Sequence, residues 1–190
     1  MTDERAPRRE RRRLTHFDRG GRPRMVDVSA KPPTARRAVA EALLELEQET
    51  ISLIVDGGLA KGDLMTVAEL AGVMAGKRTA ELIPLAHPIP LTDLQVEIKP
   101  DRAAGGLVIR ATAATTGPTG VEMEAMVAAA IAGLTCYDMV KSVDRSAVLR
   151  DVRLVEKSGG RSGEWHRPAD SSPPQAQRRG PIRRSAGRQG

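Results

Sequence analysis

The chain has 190 residues, a sequence pI near 10.1 and a formal net charge of +6, with 40% hydrophobic and 28% charged residues. Only 2% are aromatic, so the core must be built from Ala, Val, Leu, Ile and Met, and base stacking is excluded as a main mode of nucleic-acid binding. The single cysteine, Cys136, excludes an intrachain disulfide and fits a reducing compartment.

Residues 1–13 form an Arg-rich tail of net charge +3, and residues 166–190 form a Pro/Ser/Gln/Arg/Gly tail of net charge +5, which leaves the body, 14–165, at −2. The basicity therefore sits in two segments without apolar periodicity, which are expected to be disordered, and nucleic acid is not the expected partner of the body. The first residues carry charge where a secretory signal would need an apolar run, and a cytoplasmic protein is expected. The longest uncharged stretch, Ala125–Tyr137, is too short to span a bilayer and reads as a buried helix.

Within the body, Thr34–Glu49 reads as an amphipathic helix, with Ala35, Val39, Ala42, Leu43 and Leu46 on one stripe and Pro32-Pro33 just before it. A second helix is expected from Asp63, a good N-cap, towards Leu82. Pro84, Pro88 and Pro90 then force an extended loop. Leu94–Lys99 and Leu107–Ala113 alternate apolar and polar residues across a Gly-containing turn and predict an antiparallel hairpin. Thr115–Gly120 reads as a turn, Val121–Val143 as a long Ala-rich helix, Val152–Val155 as a short strand and Lys157–Gly163 as a loop. This order predicts an α+β domain with helices on one face of an antiparallel sheet; a ferredoxin-like arrangement is compatible with it.

Polar groups with chemical potential sit between these elements. Lys61 stands at a helix start suited to an anion, though a solvated turn lysine would look the same. Lys77 and Arg78 lie near a helix end, where the dipole alone accounts for cations. His87 is held among prolines, which suits a positioned donor or acid–base group. Glu122 and Glu124 open the long helix, and Asp138 and Lys141 share one face near its finish. An ordinary surface ion pair or a carboxylate-tuned lysine would both fit the latter pair. Positions 124 and 138 are 14 residues apart, about 21 Å along a continuous helix, so both cannot touch one small ligand. A second subunit is expected to complete the site if both ends act. Lys157-Ser-Gly-Gly-Arg-Ser-Gly163 has two cations and small residues able to cradle phosphates, without P-loop spacing. No Cys/His cluster has metal-ligand spacing, so no metal and no cofactor is expected.

In order, Leu14-Thr-His16, Met25-Val-Asp-Val-Ser-Ala-Lys31, Lys61-Gly-Asp63, Lys77-Arg-Thr79, Leu82-Ile-Pro-Leu85, His87-Pro88, Thr119-Gly-Val-Glu-Met-Glu-Ala125, Tyr137-Asp-Met139, Lys141 and Lys157-Ser-Gly-Gly160 resemble the successive blocks of the MoaC family across about residues 14–165. The resemblance implies a ferredoxin-like subunit in a homohexamer, a trimer of dimers with active sites at dimer interfaces. It implies conversion of 3′,8-cyclo-7,8-dihydroguanosine 5′-triphosphate, supplied by a radical S-adenosylmethionine enzyme, into cyclic pyranopterin monophosphate and pyrophosphate, in molybdenum-cofactor biosynthesis. By resemblance, Asp138 is the acid–base residue, Lys141 works beside it, and Lys61 is a second acid–base or phosphate-facing lysine. Leu85, Ala86, His87, Met123 and Glu124 would contact the substrate, Glu122 would support recognition of the base, and Lys77, Lys157 and Arg36 would bind phosphates.

Two positions depart from the family pattern: Ala86 stands where many members carry Cys, and Pro118 where the turn often carries Lys. These departures keep open a nucleotide-binding or regulatory protein without turnover. A nucleic-acid-binding protein driven by the tails is the other alternative, and it predicts steeply salt-dependent binding.

Overall fold

The computed structural model describes residues 15–168, apart from 19 and 57–60, and for 61–63 it describes the backbone only. Nine elements follow in order: β1 (Thr34–Glu45), α1 (Gln48–Asp56), α2 (Lys61–Gly76), α3 (Thr79–Leu82), β2 (Asp93–Asp101), β3 (Gly106–Gly117), α4 (Glu122–Val140), β4 (Val148–Ser158) and β5 (Trp165–His166). The strands form one antiparallel sheet in the order β2-β3-β1-β4-β5. Strands β1 and β2 run parallel with β3 between them. With α4 crossing from β3 to β4, this is the split β-α-β-β-α-β arrangement of ferredoxin-like folds.

The largest correction concerns Thr34–Glu49, which is not a helix. Thr34–Glu45 is a central strand, paired along its whole length with β3 and on its other side with β4. Its inward face is Ala38, Ala40, Ala42 and Leu44, all in the core, while Arg37, Glu41 and Glu45 lie on the opposite face in ion pairs with β3 and β4. The period of two was present, but three of its four inward markers are alanine, a strong helix former. Sheet pairing on both edges outweighs that local preference. Helix α1 begins only at Gln48.

The second predicted helix is two. Helix α2 starts at Lys61, two residues before Asp63, and stops at Gly76; Arg78 then leaves helical geometry, and the Thr79 hydroxyl donates to the Gly76 carbonyl (2.9 Å) before the single turn of α3. The hairpin formed as expected, but β3 runs on through Thr115–Gly117, so the connecting turn begins at Pro118. Strand β4 is longer than the predicted Val152–Val155 and includes Lys157, and β5 pairs with it at Glu156 and Lys157. Arg167 donates from its backbone to Val155 O (2.8 Å) and from Nε to Leu154 O (2.7 Å).

The core lies between the sheet and the helices. Leu44, Ile51, Ile54, Leu107 and Ile109 are its largest fully buried side chains, each contributing about 1.5–3 kcal/mol by burial. Small residues set the helix spacing. A Cβ on Gly72 would stand 2.8 Å from Ala128 O, and one on Gly76 would stand 2.7 Å from Leu94 Cδ2 and 3.1 Å from Glu124 O. Thus α2 lies directly on α4, and because Gly72 meets Ala128 and Ala132 while Gly76 meets Glu124 and Ala128, the two run antiparallel. Helix α4 is long and apolar enough to cross a membrane by length and composition, but it buries its Ala face on the sheet as a core helix.

Candidate functional site

Two clefts flank the start of α4. The first, about 590 Å³, lies between the 118–120 turn, the start of β1 and the loop after β4. Arg36 reaches it from β1 and is fixed by donating from Nε to Gly117 O (2.8 Å) and from Nη2 to Pro118 O (3.0 Å). Gly160, at φ +70°, lies so close that a Cβ there would fall 2.2 Å from Arg36 Nη1. Lys157 donates to Ser162 Oγ and stands 3.5 Å from Glu122 Oε1. Lys31 and Arg161 line the same cleft. Four cations face one carboxylate there, a field suited to a polyanion, and the N–H groups opening α4 add to it.

The second cleft, about 360 Å³, is lined by Lys77, Arg78, His87 and Glu124. It forms where α2 ends and the proline-rich segment returns across it. Glu124 is 3% exposed, and its Oε2 has no hydrogen-bond partner. Burial pushes its carboxyl up to about 7, and the nearby Glu122 charge acts in the same direction, against its own backbone hydrogen bond. His87 Nε2 stands 2.8 Å from Val26 O, on the extended segment that leads into β1. Leu85 and Ala86 are half-buried beside it, and Met123 is 37% exposed between the two glutamates.

Asp138 and Lys141 occupy the opposite end of α4, which runs unbroken through Gly133. Lys141 Nζ donates to Asp138 Oδ1 (2.5 Å), and both side chains are open to water. That hydrogen bond, with the Asp138 charge, raises the Lys141 pKa. Lys61 opens α2, and the antiparallel packing carries that end of α2 towards the finish of α4. The chain therefore gathers the sequence-derived residues into two groups. Arg36, Lys77, His87, Glu122, Glu124 and Lys157 surround one end of α4 with Leu85, Ala86 and Met123; Asp138, Lys141 and the helix start bearing Lys61 belong to the other. About 21 Å of helix separates them.

Sequence reasoning missed two features of this site. One is the burial of Glu124, although its spacing from Ala128, Ala132 and Cys136 puts it on the buried stripe of α4. The other is the Val26–His87 contact, a backbone interaction with no side-chain signature. Among the described residues, no three His, Cys, Asp or Glu side chains converge as a metal site.

Residues 25–160 match the sequence model of the MoaC family. A Brucella ovis protein named cyclic pyranopterin monophosphate synthase is 52% identical over 153 residues, 80% of this chain and 93% of its own length. Proteins of the same name from Thermomicrobium roseum and Chloroflexus aurantiacus are 51% identical over 159 residues and 53% identical over 155 residues. These alignments cover 84% and 82% of this chain and 96% and 95% of the respective relatives.

Proposed function

This chain belongs to the MoaC family, and from that premise we propose that it carries out the reaction for which its relatives are named. It is an enzyme of molybdenum-cofactor biosynthesis, a lyase that converts 3′,8-cyclo-7,8-dihydroguanosine 5′-triphosphate into cyclic pyranopterin monophosphate and pyrophosphate. The observation that carries this reading is half-identity along nearly the full length of proteins bearing that name.

The residues divide the work by chemistry. Closing the cyclic phosphate expels pyrophosphate, so negative charge develops on the leaving group and cations there lower the barrier. The first cleft supplies them: Arg36, held rigidly by two carbonyls, and Lys157, which stands 3.5 Å from Glu122 Oε1. Lys77 adds a third cation from the second cleft. Leu85, Ala86, His87, Met123 and Glu124 receive the base-bearing part of the substrate, and Glu122 supports it. Rebuilding the ring system needs several proton transfers. Asp138 is the acid–base group, Lys141 exchanges protons beside it, and Lys61 is the further lysine of that end.

The two ends meet only across a subunit interface. The unbroken length of α4 supports this, as do the exposed apolar side chains Leu134, Met139 and Val143 around the Asp138–Lys141 pair, which invite cover by protein. We therefore assign a homohexamer, a trimer of dimers with each site built by two copies, acting in the cytoplasm after a radical S-adenosylmethionine enzyme. The deciding experiment incubates the purified protein with the cyclic dihydro-GTP intermediate and scores pyrophosphate and the oxidised fluorescent pterin. Both products are expected. Tight triphosphate binding without either would overturn the assignment in favour of a regulatory nucleotide-binding protein, with Ala86 and Pro118 the first positions to revert.

A further inference from the structure

His87 makes one side-chain hydrogen bond among the described residues, Nε2 to Val26 O at 2.8 Å. A carbonyl oxygen can only accept, so the proton of that bond must sit on Nε2. Neutral imidazole has a single ring proton. Nδ1 therefore carries a lone pair, and it has no hydrogen-bond partner among the described residues. The ring lines the same cleft as the buried Glu124 carboxyl, whose Oε2 is also without a partner. The other polar side chains of that cleft are Lys77 and Arg78, which can donate but not accept, Glu81, which brings acceptor oxygens, and Thr79, whose hydroxyl donates to Gly76 O. His87 and Glu124 thus line one space, and the ring's bare nitrogen is a fixed acceptor.

We propose that the backbone carbonyl of Val26 locks His87 as the Nε2–H tautomer, so that Nδ1 is the ring's working atom and takes a proton from the ligand bound against Glu124. The proposal rests on the reading above that His87 touches the substrate, and it adds the atom, the direction and the device that sets them. In the step, a ligand N–H or O–H bond breaks, its electron pair stays on the ligand atom, and the proton bonds to Nδ1. The imidazolium keeps its Nε2–H···O=C contact throughout, so no reorientation is needed, and return of the proton to ligand or water resets the ring. The neutral form of Glu124 offers an O–H to an acceptor elsewhere on the same ligand, giving an acid and a base in one cleft. Segment 25–31 is then a positioning element: it acts through the ring and holds no reacting atom.

The chain has three histidines, which makes the test direct. Selective ¹⁵N-histidine labelling of the full-length protein reports which ring nitrogen is protonated, and His87→Gln identifies the His87 signals by their loss. Protonated Nε2 with bare Nδ1 is expected. A protonated Nδ1, or an even mixture of tautomers, overturns the proposal. Two variants then separate the two nitrogens. Gln places its amide where Nε2 lies and can still donate to Val26 O, whereas Asn places its amide near Nδ1 and leaves that carbonyl unpaired. His87→Gln is expected to lower kcat by about 10²-fold or more with KM and melting temperature close to wild type. His87→Asn is expected to keep more of kcat and to lose thermal stability instead. Wild-type kcat in His87→Gln, in a preparation that turns over, overturns the role of Nδ1. If the wild-type chain forms no product, the reaction assignment fails, while the spectrum still decides the tautomer.

Discussion

Glu124 and Asp138 stand on one helix, 14 positions apart, in opposite surroundings. Glu124 is buried without a partner for Oε2, and loss of water, helped by the nearby Glu122 charge, lifts its carboxyl to about 7. Asp138 is 70% exposed and is occupied by Lys141, whose pKa it raises. The first end obtains its chemistry from the protein's own interior and is shaped within a single chain. The second is an ion pair in water, where such pairs are weak and screened, so it gains catalytic force only when something excludes that water. One end is thus built by folding, and on the assembly proposed above the other is built by association.

The sharpest way to break this comparison is Lys141→Ala. Turnover of the cyclic dihydro-GTP intermediate is expected to fall on the order of 10²–10⁴-fold, with an unchanged circular-dichroism spectrum and melting temperature. Near-wild-type product formation would remove Lys141 from the chemistry. Next comes complementation. Lys141→Ala subunits and His87→Gln subunits, each nearly inactive alone, are unfolded together and refolded as a mixture. If the ends meet between subunits, random pairing leaves about a quarter of the sites with both ends intact. No recovery in mixed oligomers would place both ends of a site in one chain.

Glu124→Gln tests the interior end by stability. The folded protein binds this proton more tightly, at about 7, than a free glutamate does, at 4.5. The contribution to stability is therefore fully present below about 4.5 and is lost as pH rises through about 7. Relative to wild type, the Gln variant should gain on the order of 3 kcal/mol in urea unfolding at pH 8, and almost nothing at pH 4. A gain independent of pH would mean that Glu124 is hydrated. The smallest effect is expected at Gly160→Ala. Its φ of +70° disfavours a side chain, and the added carbon would push on Arg36. We expect kcat to fall about tenfold, a loss of about 1.4 kcal/mol in transition-state stabilisation, with KM nearly unchanged. A rise in KM alone would mean that Arg36 serves ground-state binding rather than the transition state.

What was legible in the sequence followed the same division. The 94–113 hairpin and the long Ala-rich helix announced themselves, because alternation and length are local signals. So did the separation of the two ends, which needed only a count along one helix. Strand β1 was not legible: Ala38, Ala40 and Ala42 carry no strong strand preference, and the partners that make them a strand are some 70 to 115 residues away. The site was half legible. Side chains such as Arg36 and Lys157 could be named, but the turn carbonyls that aim Arg36 and the Val26 carbonyl on His87 are backbone groups that every residue possesses. The tail segments expected at 1–13 and 166–190 lie outside the described residues except for 166–168, where His166 ends β5 and Arg167 is bonded to β4.

The close seating of α2 on α4 has a consequence for how such a chain can change. The glycine and alanine contacts clamp helices of 16 and 19 residues against each other, and so act as a gauge between the groups at their tips. Adding one residue to α4 between Ala128 and Asp138 would turn the far tip by about 100° and advance it about 1.5 Å. It would rotate Ala132, Cys136 and Val140 away from the core that now buries them, and Asp138 and Lys141 would no longer face the same way. The turn around Gly105 is under no such constraint. Helix length here is a specification of the fold and of the proposed chemistry together, and variation by insertion should be confined to the loops.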